Sequence, residues 1–161
     1  MINRIIHFKS GGSLNQCRIW RHSLCAMWML AAGSLNAAED KQQLLDAMPA
    51  LWANAATDGD VTRLLSLYSS DAFIHVVFTS DELRGNEQIS DYYSKYSVNP
   101  PKVAIKQVEE STIMATVGIL SGDAVVEFPD QPPMPTHFSI VAEWENGAWH
   151  IQLQHISRTD R

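Results

Sequence analysis

The dipeptide Asn146-Gly147 separates two stretches of alternating residues near the end of the 161-residue chain, Thr136-His-Phe-Ser-Ile-Val-Ala-Glu-Trp-Glu145 and Ala148-Trp-His-Ile-Gln-Leu-Gln-His-Ile-Ser157. Asn-Gly between such stretches is typical of a tight β-hairpin, because both residues tolerate the positive φ that the turn requires. The alternation predicts one buried face with these members: Phe138, Ile140, Ala142 and Trp144 on the first strand, and Trp149, Ile151, Leu153 and His155 on the second.

The residues before this hairpin predict helices first and strands afterwards. Apolar residues at helical spacing predict a first helix that is kinked or restarted at Pro49. Gly59 and Asp60 then suit a helix end and the N-cap of the next helix. The predicted elements are helices at Asp40–Thr57, Val61–Tyr68 and Asn86–Tyr96, and strands at Ala72–Phe78, Lys102–Glu109, Thr112–Leu120 and Ala124–Phe128, with a turn at Ser121–Asp123. We therefore expect an α+β fold in which three N-terminal helices pack on one face of a curved, largely antiparallel sheet.

The first 38 residues have the layout of a secretory signal peptide. Four basic residues and no acidic residue precede an apolar run at 24–32, and small residues follow up to Ala38. This order is typical of an export signal, and the run is too short to span a bilayer, which takes about 20 apolar residues. We predict cleavage after Ala37 or Ala38, a mature domain at 39–161 and a periplasmic or secreted location. The alternative is an uncleaved anchor.

Removal of residues 1–38 changes the charge and the cysteine content. The chain has 12 basic and 18 acidic residues, and the predicted mature domain keeps eight basic and all the acidic ones, a net charge of −10. Such a surface repels phosphate backbones, so we expect no nucleic-acid partner, and no membrane contact once the signal is removed. Cys17 and Cys25 leave with the signal, which excludes a disulfide, a thiol nucleophile and a cysteine–metal site in the mature domain.

Three short stretches resemble the nuclear transport factor 2-like superfamily, in particular its SnoaL-like proteins and the association domain of calcium/calmodulin-dependent kinase II. They are Asp58-Gly-Asp60 with Leu64-Leu-Ser-Leu-Tyr-Ser-Ser-Asp-Ala-Phe73, Leu83-Arg-Gly85, and the closing hairpin with its Trp…His-x-Ser ending. The resemblance covers the chain from about Asp40 to Arg158. It implies a cystatin-like roll, a cone-shaped antiparallel sheet with a pocket inside, and a homodimer formed through the outer sheet face. The superfamily contains both enzymes and non-enzymes.

Two histidines are the candidate general bases. His155 lies on the predicted apolar face and in the His-x-Ser match, where a buried imidazole could take a proton; the alternative is a core histidine with a structural hydrogen-bond partner. His75 lies in a predicted strand beside the implied pocket, or else at an interface or edge. His137 and His150 fall on polar faces. The four histidines of the mature chain lack metal-ligand spacing, so no metal site is assigned.

Aromatic side chains are the candidate ligand contacts. They are Trp52, Tyr68, Tyr92, Tyr93 and Tyr96, of which all but Tyr93 are assigned to the ligand. Such side chains could wall a cavity for a flat apolar ligand, with a phenol supplying one hydrogen bond; the alternative is plain core packing. Asp71 could be a pocket carboxylate, or a turn residue. The tyrosine and two acidic residues that ketosteroid isomerases of this superfamily use have no match here.

The expected function is the binding of a small, apolar, partly oxygenated molecule. If the domain is an enzyme, the resemblance favours cofactor-independent isomerisation, cyclisation or dehydration by proton transfer, with His155 or His75 as the base and Tyr68 or Tyr92 as the hydrogen-bond donor. No glycine-rich phosphate loop follows a strand, so no nucleotide cofactor is expected. The alternative is a non-enzymatic association module, favoured by the two-sided apolar stretch Ala72–Phe78. Export and acidity also suggest, more weakly, an inhibitor or immunity-type partner.

Overall fold

The computed structural model describes residues 17–77 and 82–159, with side chains from residue 37 onward. Internal contacts divide the chain into two units, Met1–Glu39 and Asp40–Arg161. The first 16 residues of the predicted signal peptide, and its side chains through residue 36, lie outside this description, and the signal stays a prediction. Within the described ranges, no helix has both the length and the apolar character needed to cross a membrane.

In the described part of the chain, two helices, two strands and a third helix precede a run of four long strands. The helices are α1 (Cys17–Asp58), α2 (Val61–Leu65) and α3 (Gly85–Ser94), and the strands are β1 (Tyr68–Val76), β2 (Leu83–Arg84), β3 (Lys102–Met114), β4 (Val117–Glu127), β5 (Met134–Glu145) and β6 (Ala148–Arg158). The strands form one curved open sheet in the order β2-β1-β6-β5-β4-β3. Neighbouring strands are antiparallel except β1 and β6, which are parallel. The predicted α+β fold is confirmed.

The helical segments follow the predicted caps more closely than the predicted lengths. Helix α1 continues through Pro49, so the predicted restart there is wrong. Gly59 has a φ of 67° and ends the helix, and the carboxylate of Asp60 accepts a hydrogen bond from the Arg63 backbone N–H at 2.9 Å. Helix α2 stops at Leu65, short of the prediction, because Tyr68 already belongs to β1 and lies opposite Ile151 of β6.

The predicted turn at Ser121–Asp123 is wrong, because these residues lie in the middle of β4. The chain turns instead at Ala115, which has a φ of 57°, between β3 and β4. Gly122 serves a close approach within the sheet. A Cβ at this position would lie 2.2 Å from the carbonyl oxygen of Gln107 and 2.9 Å from Cζ of Phe138.

The closing hairpin is confirmed, but the predicted faces of its last strand are wrong beyond Gln152. Asn146 and Gly147 have φ values of 50° and 86°, as the turn requires. Val141 pairs with Leu153 while Ala142 pairs with Ile151, so Gln152 is an extra residue in β6. Such a bulge inverts the alternation beyond it. The structure therefore buries Gln154 and Ile156, and leaves Leu153 half-buried and His155 exposed.

The core lies between the inner face of the sheet and helices α1 and α3. It joins Leu45, Met48 and Trp52 of α1 and Ile89 of α3 to Leu120, Phe138, Ile140 and Ile151 of the sheet. Two hydrogen bonds fix the ends of this part of α1. The indole N–H of Trp149 donates to the carbonyl of Lys41 at 2.9 Å, and the backbone N–H of Val103 donates to the Thr57 hydroxyl at 2.9 Å.

Candidate functional site

A cavity lies between the C-terminal part of α1, helix α3 and the inner face of the sheet. The cavity is small, with a volume of about 50 Å³. Its walls include Trp52, Ala56, Tyr92, Tyr93, Tyr96 and Phe128, together with aliphatic side chains. The walls are therefore almost entirely apolar, apart from the hydroxyls of the α3 tyrosines and the indole N–H.

A buried hydrogen-bond cluster lies against one wall of this cavity. The indole N–H of Trp52 donates to the hydroxyl oxygen of Tyr68 at 3.0 Å, and the Tyr68 hydroxyl donates to Oε1 of Gln154. The hydroxyl oxygens of Tyr68 and Tyr93 are 3.4 Å apart. Because Trp52 and Tyr93 line the cavity, this cluster is the polar end of an otherwise apolar space.

Tyr92 and Tyr93 of α3 and Tyr96 just beyond it pack against one another. The ring centroids of Tyr92 and Tyr93 are 5.1 Å apart, and those of Tyr92 and Tyr96 are 5.5 Å apart, both in edge-to-face geometry. Tyr96 also contacts Phe128 of the β4–β5 connection, with centroids 5.5 Å apart. These contacts hold the aromatic wall in one arrangement, since edge-to-face pairs have a preferred geometry.

Burial keeps the phenols of Tyr68, Tyr92 and Tyr93 protonated. It raises the pKa of Tyr68 well above the ordinary 10.0, and it also raises the pKa values of Tyr92 and Tyr93. Desolvation penalises the charged phenolate, so near neutral pH these hydroxyls are neutral hydrogen-bond donors and acceptors. None of them is a base under those conditions.

Among the described residues, no histidine or carboxylate lines the cavity. The same ranges contain no group of three or more histidine, cysteine, aspartate or glutamate side chains that could hold a metal ion. The lining offers apolar contacts and neutral hydrogen-bonding groups.

The predicted ligand contacts fall into two groups. Trp52, Tyr92 and Tyr96 line the cavity, and Tyr68 lies directly behind Trp52 and Tyr93. Asp71 lies elsewhere, exposed in the middle of β1. It is not a turn residue, because β1 already begins at Tyr68.

The two predicted bases lie on the outer face of the sheet, away from the cavity. His75 and His155 occupy opposite positions on β1 and β6, and their rings stack with centroids 5.1 Å apart and planes 10° apart. The prediction that His155 faces the interior is wrong, because the bulge at Gln152 turns it outward. His137 lies on the same outer face, 3.0 Å from the Asp123 carboxylate, as its polar pattern predicts.

Sequence reasoning missed the most polar element of the site, Gln154. Strict alternation from Trp149 predicts Gln154 on the polar face, and only the extra residue Gln152 brings it inside. A buried glutamine also has no sequence signature of its own. Tyr93 was a candidate without an assigned role, and the signal for it was its place on α3 between Tyr92 and Tyr96.

Three solved structures illustrate what this fold is similar to. A calcium/calmodulin-dependent protein kinase II association domain-like protein from Xanthomonas campestris is 19% identical with a TM-score of 0.65, over 72% of this chain and 86% of that one. An NTF2-like protein with a cystatin-like fold from Novosphingobium aromaticivorans is 14% identical with a TM-score of 0.67, over 81% and 88%. A ketosteroid isomerase-like protein from Erwinia carotovora atroseptica is 12% identical with a TM-score of 0.62, over 75% and 98%.

These identities are low, so the three likenesses show the fold alone. No curated protein matches the sequence significantly. The sequence profile of the SnoaL-like domain matches residues 45–160, which is most of the chain and nearly all of the Asp40–Arg161 unit. The chain therefore belongs to the SnoaL-like domain family of the NTF2-like superfamily.

Proposed function

We propose that the Asp40–Arg161 unit binds a small apolar molecule in the cavity between α1, α3 and the sheet. The observation that carries this proposal is an apolar space whose wall residues Trp52 and Tyr93 belong to the buried hydrogen-bond cluster behind them, together with Tyr68 and Gln154. Ligand sites are typically concave, with apolar walls and a few convergent polar groups. The polar end would orient the ligand, and the walls would supply most of the binding free energy.

Binding, rather than proton transfer, is the role that the lining supports. An isomerase, cyclase or dehydratase needs a group that takes a proton from the bound substrate. Burial raises the pKa values of the Tyr92 and Tyr93 phenols, which stay protonated. His75 and His155 lie on the opposite face of the sheet. The likeness to a ketosteroid isomerase-like protein concerns the fold, and the cavity offers hydrogen-bond donors in place of a base.

The test is a titration with N-phenyl-1-naphthylamine, a neutral apolar fluorophore, against the wild type and a cavity-filling variant. Ala56 lies in the cavity wall, so Ala56→Leu should weaken binding at least about tenfold by occupying ligand space. Ala47 is exposed on the same helix, and Ala47→Leu is the matched control, with unchanged affinity. Should Ala56→Leu fold poorly, Val61→Trp fills the space from a half-buried position. Equal affinity in all folded variants would contradict the proposal.

A second candidate function, self-association, rests on the outer face of the sheet. Phe73, Leu153, Val141 and Ile119 lie opposite one another across β1, β6, β5 and β4, and form one apolar row. We propose that two copies pack through this row to form a homodimer. Native mass spectrometry should find dimers for the wild type and monomers for Leu153→Glu, whereas a monomeric wild type would contradict this proposal.

We further propose that residues 1–38 direct export to the periplasm or beyond. The basic start, the apolar run at 24–32 and the small residues before Glu39 support it. N-terminal sequencing of the protein recovered from the exported fraction should begin at Ala38 or Glu39. Recovery of the unprocessed chain in the cytoplasm would contradict it.

A further inference from the structure

The side-chain amide of Gln154 is buried, and neither of its N–H donors has a hydrogen-bond partner among the described residues. Gln154 has 0% of its surface exposed, and on the inner face of the sheet it lies between Ile74 of β1 and Ile140 of β5. Its Oε1 accepts the hydroxyl proton of Tyr68. Its Nε2 has no hydrogen-bond partner among the described residues.

An unpartnered buried donor is uncommon in folded proteins, and it calls for a physical reason. Burying an N–H without an acceptor costs free energy that the fold must supply from elsewhere. In the present arrangement the Tyr68 hydroxyl accepts from Trp52 and donates to Oε1, and it does not accept a hydrogen bond from Nε2. The amide is therefore held in place by one atom, while the other is left available.

The position of this donor links it to the cavity. Val76 and Ile156 are side by side in the sheet, and both line the cavity. Ile74 and Gln154 form the next inward pair, one step of about 7 Å along the same strands. Tyr93 lines the cavity as well, and its hydroxyl lies 3.4 Å from that of Tyr68.

We propose that the cavity takes a neutral carbonyl compound, whose oxygen accepts a hydrogen bond from Nε2 of Gln154. This inference rests on the proposed function and names the ligand class of the same site. The carbonyl oxygen supplies the acceptor that Nε2 lacks, and the apolar remainder of the ligand fills the space up to Phe128. Tyr93 is the second group close enough to contact the oxygen.

Two features disfavour a charged ligand. No lysine or arginine is among the described residues that line the cavity, so a carboxylate would be buried without a counter-ion, which is costly. The buried phenols stay protonated because desolvation raises their pKa values, so an ammonium ion would find no anionic partner either. A neutral acceptor avoids both costs.

The test measures displacement of N-phenyl-1-naphthylamine by three probes of similar shape. They are 2-acetylnaphthalene, which is a neutral ketone, 2-isopropylnaphthalene, which has no acceptor, and 2-naphthoate, which is an anion. Each is titrated into the wild type, Gln154→Met and Gln152→Met. Methionine keeps the length of glutamine but removes the amide. Gln152 is the matched control, because it is half-buried on the same strand with its hydrogen bonds to Ser69 and Glu143.

The expected readout is a ratio that cancels general changes in hydrophobic binding. The ketone affinity relative to the hydrocarbon affinity should fall about tenfold in Gln154→Met, as expected for the loss of one hydrogen bond. The ratio should be unchanged in Gln152→Met. The carbonyl stretching band of the bound ketone should lie at lower frequency in the wild type than in Gln154→Met.

Three results would overturn the inference. An unchanged ratio in Gln154→Met, or tighter binding of 2-naphthoate than of the ketone, would exclude a neutral carbonyl ligand held by Gln154, while leaving the apolar cavity as a binding site. Failure of the three probes to displace the fluorophore would exclude the ligand class. If the fluorophore itself does not bind, the proposed function fails first, and the inference fails with it.

Discussion

The indole N–H of Trp52 donates a 3.0 Å hydrogen bond to the hydroxyl oxygen of Tyr68, and so joins helix α1 to the first residue of strand β1. The same hydroxyl donates its proton to Gln154 of β6. One phenol therefore satisfies two buried polar groups from two other elements. This linkage holds the polar end of the cavity in place without using Nε2 of Gln154.

Replacing Tyr68 with phenylalanine should lower the free energy of unfolding by about 3 kcal/mol. The change leaves both the Trp52 N–H and Oε1 of Gln154 buried without their present partner, and each such loss costs about 1–3 kcal/mol. Urea denaturation measures the difference. Tyr96→Phe removes a hydroxyl from a half-buried tyrosine and should cost less than about 1 kcal/mol. Equal losses in the two variants would contradict the role assigned to Tyr68.

The free energy of unfolding should fall as the pH rises above the ordinary phenol pKa of 10.0. Burial raises the pKa values of Tyr68, Tyr92 and Tyr93 in the folded chain, so the folded state holds these protons more tightly than the unfolded state. Their contribution to stability is therefore complete below the ordinary phenol pKa of 10.0 and is lost as the pH rises above it. Urea unfolding at about pH 8 and about pH 11 measures the loss. No difference between the two would contradict the burial of these phenols.

Gly122→Ala should cost at least about 2 kcal/mol, because the added Cβ would overlap the backbone carbonyl of Gln107, which is fixed by the sheet. Gly118→Ala is the matched comparison on the same strand. Its added Cβ would meet the Leu45 methyl groups at 2.6 and 2.9 Å, and these are the ends of a flexible side chain. We expect a smaller loss there, measured by thermal unfolding. The reverse order would show that β4 does not pack as described.

Asp60→Ala should cost about 1 kcal/mol through the loss of the N-cap of α2, whereas Asp60→Asn should cost little, because asparagine caps as well as aspartate. Denaturant midpoints of the two variants measure this difference. Equal effects of alanine and asparagine would mean that the Asp60 side chain contributes by charge rather than by capping Arg63.

Features set by local chemistry could be predicted from the sequence. Asn146, Gly147 and Gly59 have positive φ, which asparagine and glycine tolerate better than other residues. Asp60 is a strong N-cap. These preferences act within a few residues, so the sequence pattern contains them in full. The helical stripe correctly predicted that Met48, Trp52 and Ala55 are buried, but its other members, Leu44 and Leu51, are exposed.

Features set by contacts between distant strands could not be predicted. The bulge at Gln152 depends on how β6 pairs with β5, and the closeness of Gly122 to Gln107 depends on how β4 pairs with β3. Glycine followed by aspartate favours a turn, and only the pairing of β4 with its neighbours places these two residues in a strand. For these reasons His155 was predicted inside the sheet, and Gln154, which forms the polar end of the cavity, was not predicted at all.

A crystal structure of the protein grown with 2-acetylnaphthalene would show directly whether the cavity binds a neutral ketone. We expect the naphthalene ring between Tyr93 and Phe128, with the ketone oxygen within hydrogen-bond distance of Nε2 of Gln154. A ligand bound on the outer face beside His75 and His155, with the cavity filled by its own side chains, would contradict it.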